Sequence, residues 1–236
     1  MMRQLPQSER KEGSAEPFLF GFSLRGGGMF GIHDLALFMV SGLLLNIMPG
    51  PDSLLVMLRS GSQGWRAGSV ATLGIGTGVM VHVLAAALGL SALLSASAEL
   101  FALIKLAGAI YLIYLGFSLL RQQATGAMEG GATLPALSYG QIYRQGVLTN
   151  VLNPKVALFF LAFVPQFIAP DAPDKALAFI LLGCIFNLGG IIWCHLLVFT
   201  TVYASHRVRL SQRLGRWLNR GIGTLFVGLG LKLASD

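Results

Sequence analysis

An acidic residue follows two prolines inside an otherwise apolar stretch of this sequence. Asp52 comes directly after the Pro-Gly-Pro run at 49–51. Proline lacks a backbone donor and clashes with the carbonyl four residues earlier, so in a helix these prolines free the carbonyls of Leu45 and Ile47. In hydrocarbon, freed groups need partners inside the protein or in a water-filled cavity. The break is therefore a candidate position for binding an amine or a proton, and a plain packing kink is the alternative.

A second break carries a basic residue. Asn153 and Pro154 precede Lys155 in another apolar stretch. An ionised side chain at the centre of a membrane helix costs about 2.5–3.5 kcal/mol, and Asp52 and Lys155 each cost less if they pair. Their depths from the cytoplasmic helix ends, ~9 Å and ~14 Å, permit contact. In the alternative, Lys155 extends to the cytoplasmic interface, and Asp52 caps the half-helix after the prolines, where the helix dipole favours a carboxylate.

Other polar residues in the apolar stretches allow two interpretations each. A histidine side chain can relay protons near neutral pH, so His82 and His195 are candidates for a proton relay, whereas a neutral histidine bonded to a backbone carbonyl is the ordinary alternative. Asn46, Asn150 and Asn187 are candidates for binding either freed backbone groups or a substrate. The sequence does not decide between these roles.

Groups typical of enzymes and metal sites do not stand out. Cys184 and Cys194 lie in one apolar run, ~15 Å apart on a helix, whereas a disulfide requires Cα atoms within about 7 Å. We interpret both as packing residues. Cys194 and His195 are adjacent, so their side chains point in different directions on a helix. Trp193 is interpreted as an interface or packing aromatic. No catalytic residue, metal site or cofactor is predicted.

Composition indicates the medium that surrounds these residues. The chain has 236 residues, of which 54% are hydrophobic and 11% charged, against roughly 25% charged in a soluble domain. Mean hydropathy is +0.69. The net charge is +7, but the basic residues lie between long apolar runs, which favours cytoplasmic membrane loops over a nucleic-acid surface. The chain is predicted to be an integral membrane protein.

Six apolar segments are predicted to span the membrane, because a spanning helix needs about 20 mostly apolar residues. They run over residues 35–58, 68–94, 100–120, 146–168, 176–203 and 217–233. The sixth is the weakest, since it contains Arg220 and Lys232, and a re-entrant or interfacial segment is the alternative. Loop three, residues 122–143, separates the halves 29–121 and 144–236.

Basic residues alternate along the loops and predict the orientation. Arginines lie in or beside loops one, three and five: Arg59, Arg66, Arg121, Arg144, Arg207, Arg209, Arg213 and Arg216. Lys and Arg mark the cytoplasmic side. Both termini are therefore expected outside, on the periplasmic side of a bacterial membrane. Residues 1–28 lack apolar periodicity and are expected to be a disordered extension. Met29 is the expected start of a single transporter domain, 29–236.

The two halves resemble each other. Gly42 and Asn46, followed by a proline, recur as Gly146 and Asn150, again followed by a proline. A second echo pairs Gly76 and His82 with Gly189 and His195. Copies of three helices must lie in the membrane with opposite topology. Inverted repeats of this kind are typical of secondary transporters.

The proline motifs, with a glycine-rich segment between them, resemble the LysE/RhtB family of lysine and homoserine/threonine exporters. The resemblance rests on 46–52 (NIMPGPD), Gly74, Gly76, Gly78, 150–155 (NVLNPK) and 158–166 (LFFLAFVPQ). It covers residue 29 to the C-terminus. The resemblance implies a bacterial inner-membrane protein that exports amino acids or their derivatives, coupled to the proton gradient. It does not select among the amino acids.

The sequence therefore predicts an all-α integral membrane protein of six transmembrane helices in two inverted three-helix repeats, with helices one and four broken at the proline motifs. Candidate substrate- or ion-binding residues are Asn46, Pro49, Gly50, Pro51, Asp52, Asn150, Asn153, Pro154 and Lys155, with His82 and His195 as proton-relay candidates. Expected partners are an amino-acid substrate, coupling protons and the lipid bilayer, without nucleic acid; a homo-oligomer is left open. A heavy-metal exporter of related architecture and a non-transporting receptor or structural subunit are the alternatives.

Overall fold

Helices dominate the structure, a computed structural model that describes residues 29–92, 97–121 and 136–203, together with 220–221, 223–224, 226–228 and 230–231. The helices are α1 (Leu35–Ile47), α2 (Pro51–Ala85), α3 (Ala98–Arg121), α4 (Tyr139–Val151), α5 (Pro154–Leu158) and α6 (Lys175–Tyr203). The described residues from 220 to 231 are also helical and are termed α7. The predicted extension at 1–28 and most of loop three lie outside the described residues.

The first predicted segment is divided at its prolines. α1 ends at Ile47, and α2 begins at Pro51 after an extended Gly50. Proline suits the first helical position, where a backbone N–H would have no partner in the helix. α2 continues to Gly64, whose φ of 81° is readily adopted only by glycine. Ser60 contacts Gly68, which a straight helix would place ~12 Å away, so the chain folds back at Gly64.

The fourth segment begins about two turns earlier than predicted. Ser138 caps α4 by accepting from the backbone N–H of Gln141, while Gln141 accepts from the Ser138 N–H. This capping box is a sequence signal for a helix start, and the predicted start at 146, which followed hydropathy alone, was wrong. After Asn153 the chain turns into α5, and the stretch Pro154–Phe167 is bent by 47° from α4.

Membrane-spanning length is present in several described stretches. Pro51–Leu90, although it folds back at Gly64, contains a stretch long and apolar enough to cross a membrane, as does Lys175–Tyr203. The bent pair Tyr139–Val151 and Pro154–Phe167 makes a third if it forms one span. The bounds of α3 and α6 lie within two residues of the predicted third and fifth segments. The full set of six spans stays a prediction.

Close backbone packing brings α2 against α4. A side chain at Gly74 would overlap the Tyr143 carbonyl, and one at Gly146 would overlap the Ala71 carbonyl. The missing Cβ atoms allow this approach. On the other side, a phenylalanine cluster joins α1, the stretch after α5, and α6: the ring centroids are 6.0 Å apart for Phe38 and Phe159, and 4.5 Å apart for Phe159 and Phe186. The two broken helices are thereby held beside α2 and α6.

Candidate functional site

A narrow cavity lies where the two helix breaks meet α2 and α6. Its polar lining consists of Asn46, Asp52, Ser53, Thr72, Asn150, Lys155, Asn187 and Trp193. Its apolar lining includes Ile75, Val79, Val156, Phe186 and Ile191. The space open to the centres of water molecules is about 30 Å³. One water needs roughly 10–15 Å³ of such space, so the cavity has room for about two waters.

Asp52 is held by the amides of the opposite break. Its Oδ2 accepts from Asn150 Nδ2 and from Asn153 Nδ2, each at 3.0 Å. Its other oxygen, Oδ1, is buried and has no hydrogen-bond partner. A buried acceptor without a donor is costly. The carboxylate therefore has one oxygen fixed by the protein and one oxygen available to a ligand in the cavity.

Lys155 binds the backbone of the other break in return. Its Nζ donates to the carbonyls of Leu45 and Met48, each at 3.1 Å. The expectation that the prolines free the Leu45 carbonyl is confirmed by this bond. Gly50 leaves space for the ammonium, because a Cβ there would lie 3.2 Å from Nζ. Lys155 therefore turns toward the first break instead of extending outward, so that part of the alternative was wrong, whereas Asp52 does lie in the first turn of the half-helix after the prolines.

The two charged residues exchange partners rather than contacting each other. Asp52 and Lys155 are both among the described residues, and no nitrogen–oxygen contact within 4.0 Å joins their side chains. The expected direct pair of Asp52 and Lys155 was therefore wrong. Lys155 of the second break donates to two carbonyls of the first. Asn150 and Asn153 of the second break donate to the Asp52 carboxylate, which follows the first. The result is a reciprocal lock between α1 and α2 on one side and α4 and α5 on the other.

Asn153 serves both halves of this lock. Its Oδ1 accepts from the Lys155 N–H at 3.0 Å and caps α5, while its Nδ2 donates to Asp52. Pro154 occupies the first turn of α5 in the same way as Pro51 does in α2. Sequence reasoning placed Asn153 at a break but did not foresee its double role.

The two predicted proton-relay histidines both have backbone partners. His82 Nε2 lies 3.1 Å from the Asn150 carbonyl oxygen, and His195 Nδ1 lies 2.9 Å from the Ile191 carbonyl oxygen. These are the partners of the ordinary alternative. A single residue nevertheless connects His82 to Asp52, because Asn150 contacts both of them. His195 is not brought into contact with the Asp52 group.

Asn46 and Asn187 form hydrogen bonds to neighbouring helices. Asn46 Nδ2 donates to the Phe186 carbonyl at 3.3 Å, and Asn187 Nδ2 donates to the Gly76 carbonyl at 3.2 Å. Side-chain donors of this kind hold membrane helices together. Both residues therefore have a structural role as well as a place in the cavity wall.

Trp193 is a cavity residue that the sequence did not single out. Its Nε1 is buried without a hydrogen-bond partner, as are Asp52 Oδ1 and Asn150 Oδ1. All three residues line the same cavity. A buried tryptophan N–H normally finds an acceptor. In an apolar helix a tryptophan has no sequence feature that separates this role from packing, so the signal is geometric.

Comparison with known proteins identifies the group to which this site belongs. The model of the family described as LysE type translocator matches residues 43–236. The chain belongs to this family. An uncharacterized membrane protein of Pseudomonas aeruginosa is 35% identical over 87% of this chain and 96% of its own length. A leucine efflux protein of Salmonella choleraesuis is 28% identical over 87% of this chain and 97% of its own length.

A third relative extends the range of named substrates. The homoserine/homoserine lactone efflux protein of Salmonella typhi is 32% identical over 84% of the translocator and 94% of its own length. No solved structure matches the chain. The family and these names describe transporters rather than enzymes, as predicted.

A wider groove lies on the other side of Asn153 in the translocator. It measures about 540 Å³ and is lined by Pro51, Pro154 and one face of α4, including Arg144 and Leu148. Asn153 lines this groove and also donates to Asp52, which lines the cavity. The side chain of Asn153 therefore stands between the open groove and the narrow cavity.

A polar cluster joins α2 to the start of α4. The buried side chain of Arg59 donates to Gln145 Oε1 from Nε at 3.1 Å and from Nη2 at 2.9 Å, and to Gln63 from Nη1 at 3.3 Å. Gln63 in turn exchanges two hydrogen bonds with the backbone of Leu137. The sequence predicted Arg59 in a cytoplasmic loop; the structure places it on α2, within the protein. Within the described residues, no group of three or more His, Cys, Asp or Glu is placed to hold a metal ion.

Proposed function

We propose that this LysE-type translocator exports amino acids or small amino-acid derivatives from the cytoplasm as a secondary transporter. The observation that carries this proposal is the unpartnered Asp52 Oδ1 in the wall of a membrane cavity. A carboxylate oxygen in a water-poor site is suited to an ammonium group or to a proton. The names of the leucine and homoserine relatives support substrates that carry an amino group.

Asp52 is the substrate- and proton-binding acid in this proposal. Its fixed oxygen keeps the carboxylate oriented, because two asparagine amides hold it at 3.0 Å. Its free oxygen alternates between the substrate ammonium and a proton during the cycle. Proton coupling is part of the proposal, because an Oδ1 that has released the ammonium is again a buried acceptor without a donor, and a proton can take the place of the ammonium. His82, which contacts the Asn150 carbonyl, is the group best placed to pass a proton.

Lys155 acts as a built-in cation rather than as a ligand for the substrate carboxylate. In other transporters, unwound carbonyls at a helix break coordinate a coupling cation. Here the Lys155 ammonium donates to two such carbonyls, Leu45 and Met48. It also balances the charge of Asp52 within the site. No separate metal cation is needed for either task.

The size of the cavity supports alternating access as part of this proposal. Room for about two waters is too small for an amino acid, so the described conformation is an occluded one. The groove beyond Asn153 is the route by which substrate reaches the cavity when the lock opens. Matching lengths support the inverted repeat, because α1 and α4 each have 13 residues and each is followed by a half-helix with proline in its first turn.

Transport in proteoliposomes tests the proposal. Purified protein is reconstituted, loaded with radiolabelled leucine, homoserine or lysine, and assayed with and without an imposed proton gradient. We expect efflux of at least one amino acid that is stimulated by the gradient and abolished in Asp52→Asn. Efflux by Asp52→Asn at the wild-type rate would remove Asp52 from the mechanism. No transport of any amino acid by folded wild type would refute the function.

Orientation needs its own test because the exporter model requires a defined inside. A reporter active only in the cytoplasm is fused after Arg66 or after Asp174. We expect a signal from the first fusion and silence from the second, since the arginine-rich loops mark the cytoplasmic side. The reverse pattern would place the groove on the outer side and contradict export through it.

A further inference from the structure

Three residues that line the narrow cavity each carry a buried polar atom without a partner, and the chemistry of these atoms is complementary to an amino acid. Two are acceptors, Asp52 Oδ1 and Asn150 Oδ1, and one is a donor, Trp193 Nε1. All belong to residues that line the one narrow cavity. A folded protein satisfies nearly all buried polar atoms. Because acceptors and a donor without partners belong to residues around one cavity, they indicate a ligand that carries a donor at one end and an acceptor at the other.

We infer that Trp193 is a specificity-determining residue, whose indole N–H donates to the carboxyl end of the substrate while Asp52 and Asn150 accept from its ammonium. This inference rests on the proposed function and names the substrate class of the same site. The class is the α-amino acids with a short uncharged side chain, with their esters as weaker relatives.

The other nitrogen donors in the cavity wall already have acceptors, and the Thr72 hydroxyl donates to the Gly68 carbonyl. The Lys155 ammonium donates to Leu45 and Met48. The amide groups of Asn46 and Asn187 donate to Phe186 and Gly76. Trp193 Nε1 is the buried nitrogen donor of this cavity, among the described residues, for which the structure offers no acceptor. The carboxyl end of the substrate is therefore assigned to it.

Charge and shape narrow the side chain of the substrate. The ionisable acid and base in the cavity wall are Asp52 and Lys155, whose charges balance. A zwitterion leaves that balance unchanged, whereas lysine or arginine would add a positive charge that nothing in the wall is free to accept. The apolar part of the wall includes Ile75, Val79, Val156 and Ile191. It suits an aliphatic group.

A ligand series tests the inference on the intact, detergent-purified protein. Affinity is measured by titration for leucine, leucine methyl ester and 3-methylbutylamine, which is leucine without its carboxyl group. The proteins are wild type, Trp193→Phe, which keeps the ring but removes the N–H, and Trp65→Phe. Trp65 is half exposed and lies outside the cavity, so this variant is the matched control for loss of an indole N–H.

We expect Trp193→Phe to weaken leucine binding about tenfold, as for loss of one hydrogen bond to a charged group. The ester, which keeps a carbonyl acceptor, should weaken severalfold, and the amine should be unchanged. Wild type should bind the amine about as weakly as Trp193→Phe binds leucine, because in both cases the same hydrogen bond is missing. Trp65→Phe should behave as wild type with all three ligands.

Each other outcome is decisive. An equal loss for leucine and for the amine would show that Trp193 only maintains the fold and would overturn the inference. Leucine binding by Trp193→Phe that is unchanged from wild type would overturn the inference too. So would an amine that wild type binds far more weakly than Trp193→Phe binds leucine, because another group would then hold the carboxylate. Tighter binding of lysine than leucine would refute the substrate class. If wild type neither binds nor exports any amino acid, the proposed function itself fails.

Discussion

Asn153 Nδ2 donates to Asp52 Oδ2 at 3.0 Å, across the boundary between the two broken helices. The donor belongs to the cap of α5, and the acceptor lies in the first turn of α2. A helix N-terminus presents N–H groups and favours negative charge. One residue thus completes the end of one half-helix and orients the acid on the start of the other. The stability of the lock and the position of the acid are therefore linked.

Replacing Asn153 by alanine should affect stability and transport together. Loss of an N-cap costs about 0.5–2 kcal/mol, and Asp52 would lose one of its two amide donors. We expect a lower melting temperature in detergent and an efflux rate reduced by about tenfold, as for a lost charge-assisted hydrogen bond. Both quantities are measured on the same purified sample.

Ser138→Ala is the matched control for this variant. Ser138 caps α4 but does not contact Asp52, so its loss should lower the melting temperature by a similar amount. Efflux by the folded fraction should remain within about twofold of wild type. If Ser138→Ala impairs efflux as much as Asn153→Ala does, general destabilisation explains both effects, and the specific role of Asn153 is lost.

Asp52→Asn and Lys155→Met should differ sharply in stability. An asparagine at 52 keeps an oxygen that accepts from Asn150 and Asn153, so the fold should be retained while efflux is abolished. Methionine at 155 leaves the Leu45 and Met48 carbonyls without donors, at a cost of about 1–3 kcal/mol for each buried group. Lys155→Met should therefore show the lower melting temperature and yield.

The double replacement separates the reciprocal lock from a direct ion pair. In the lock, adding Asp52→Asn to Lys155→Met leaves the two carbonyls unpaired, so most of the lost stability should not return. Lys175→Met, at the start of α6, controls for the loss of a lysine and should be nearly neutral. Full recovery of the melting temperature in the double variant would mean that the loss of stability in Lys155→Met comes from the uncompensated Asp52 charge and not from the two carbonyls without donors.

Several parts of this site were readable from the sequence because proline has a fixed local effect. The breaks after Ile47 and before Pro154 follow from the missing donor and the steric clash of proline, and the freed Leu45 carbonyl follows with them. The ends of α3 and α6 agree with hydropathy because both helices are apolar along their length. Family membership was also predicted correctly from the two motifs.

Other parts depended on three-dimensional packing. Depth along a helix places Asp52 and Lys155 at similar levels but does not say which rotamers they adopt. A direct pair was therefore expected, whereas in the structure each side chain binds groups of the opposite break. The early start of α4 was missed because Ser138 and Gln141 lie in a polar stretch that hydropathy reads as a loop. Trp193 was missed because a residue's burial beside a cavity is set by its neighbours and not by its own segment.

Arg59→Lys should destabilise the connection between α2 and α4. The guanidinium donates to Gln145 from two nitrogens, a geometry that the single lysine nitrogen does not reproduce. Because Arg59 is 4% exposed, we expect a loss of roughly 1–3 kcal/mol, measured as a shift of the denaturation midpoint. Arg66→Lys is the control, since Arg66 is exposed and should change stability by less than about 0.5 kcal/mol. Equal effects of the two replacements would contradict a specific role of the cluster.

Gly78→Ala should disturb the acid through its neighbour. A Cβ at Gly78 would lie 2.7 Å from the Cβ of Asn150, closer than two carbon atoms pack, so Asn150 must shift. Since Asn150 Nδ2 holds Asp52, we expect weaker substrate binding together with a lower melting temperature.

Gly140→Ala provides the opposite case, because nothing lies within 4 Å of its added Cβ. Alanine is preferred to glycine within helices by about 0.8–1 kcal/mol, so Gly140→Ala should be neutral or stabilising with normal efflux. Both variants are compared by thermal unfolding and by leucine efflux from proteoliposomes. A Gly78→Ala protein with wild-type substrate affinity would show that Asn150 does not position Asp52 for binding.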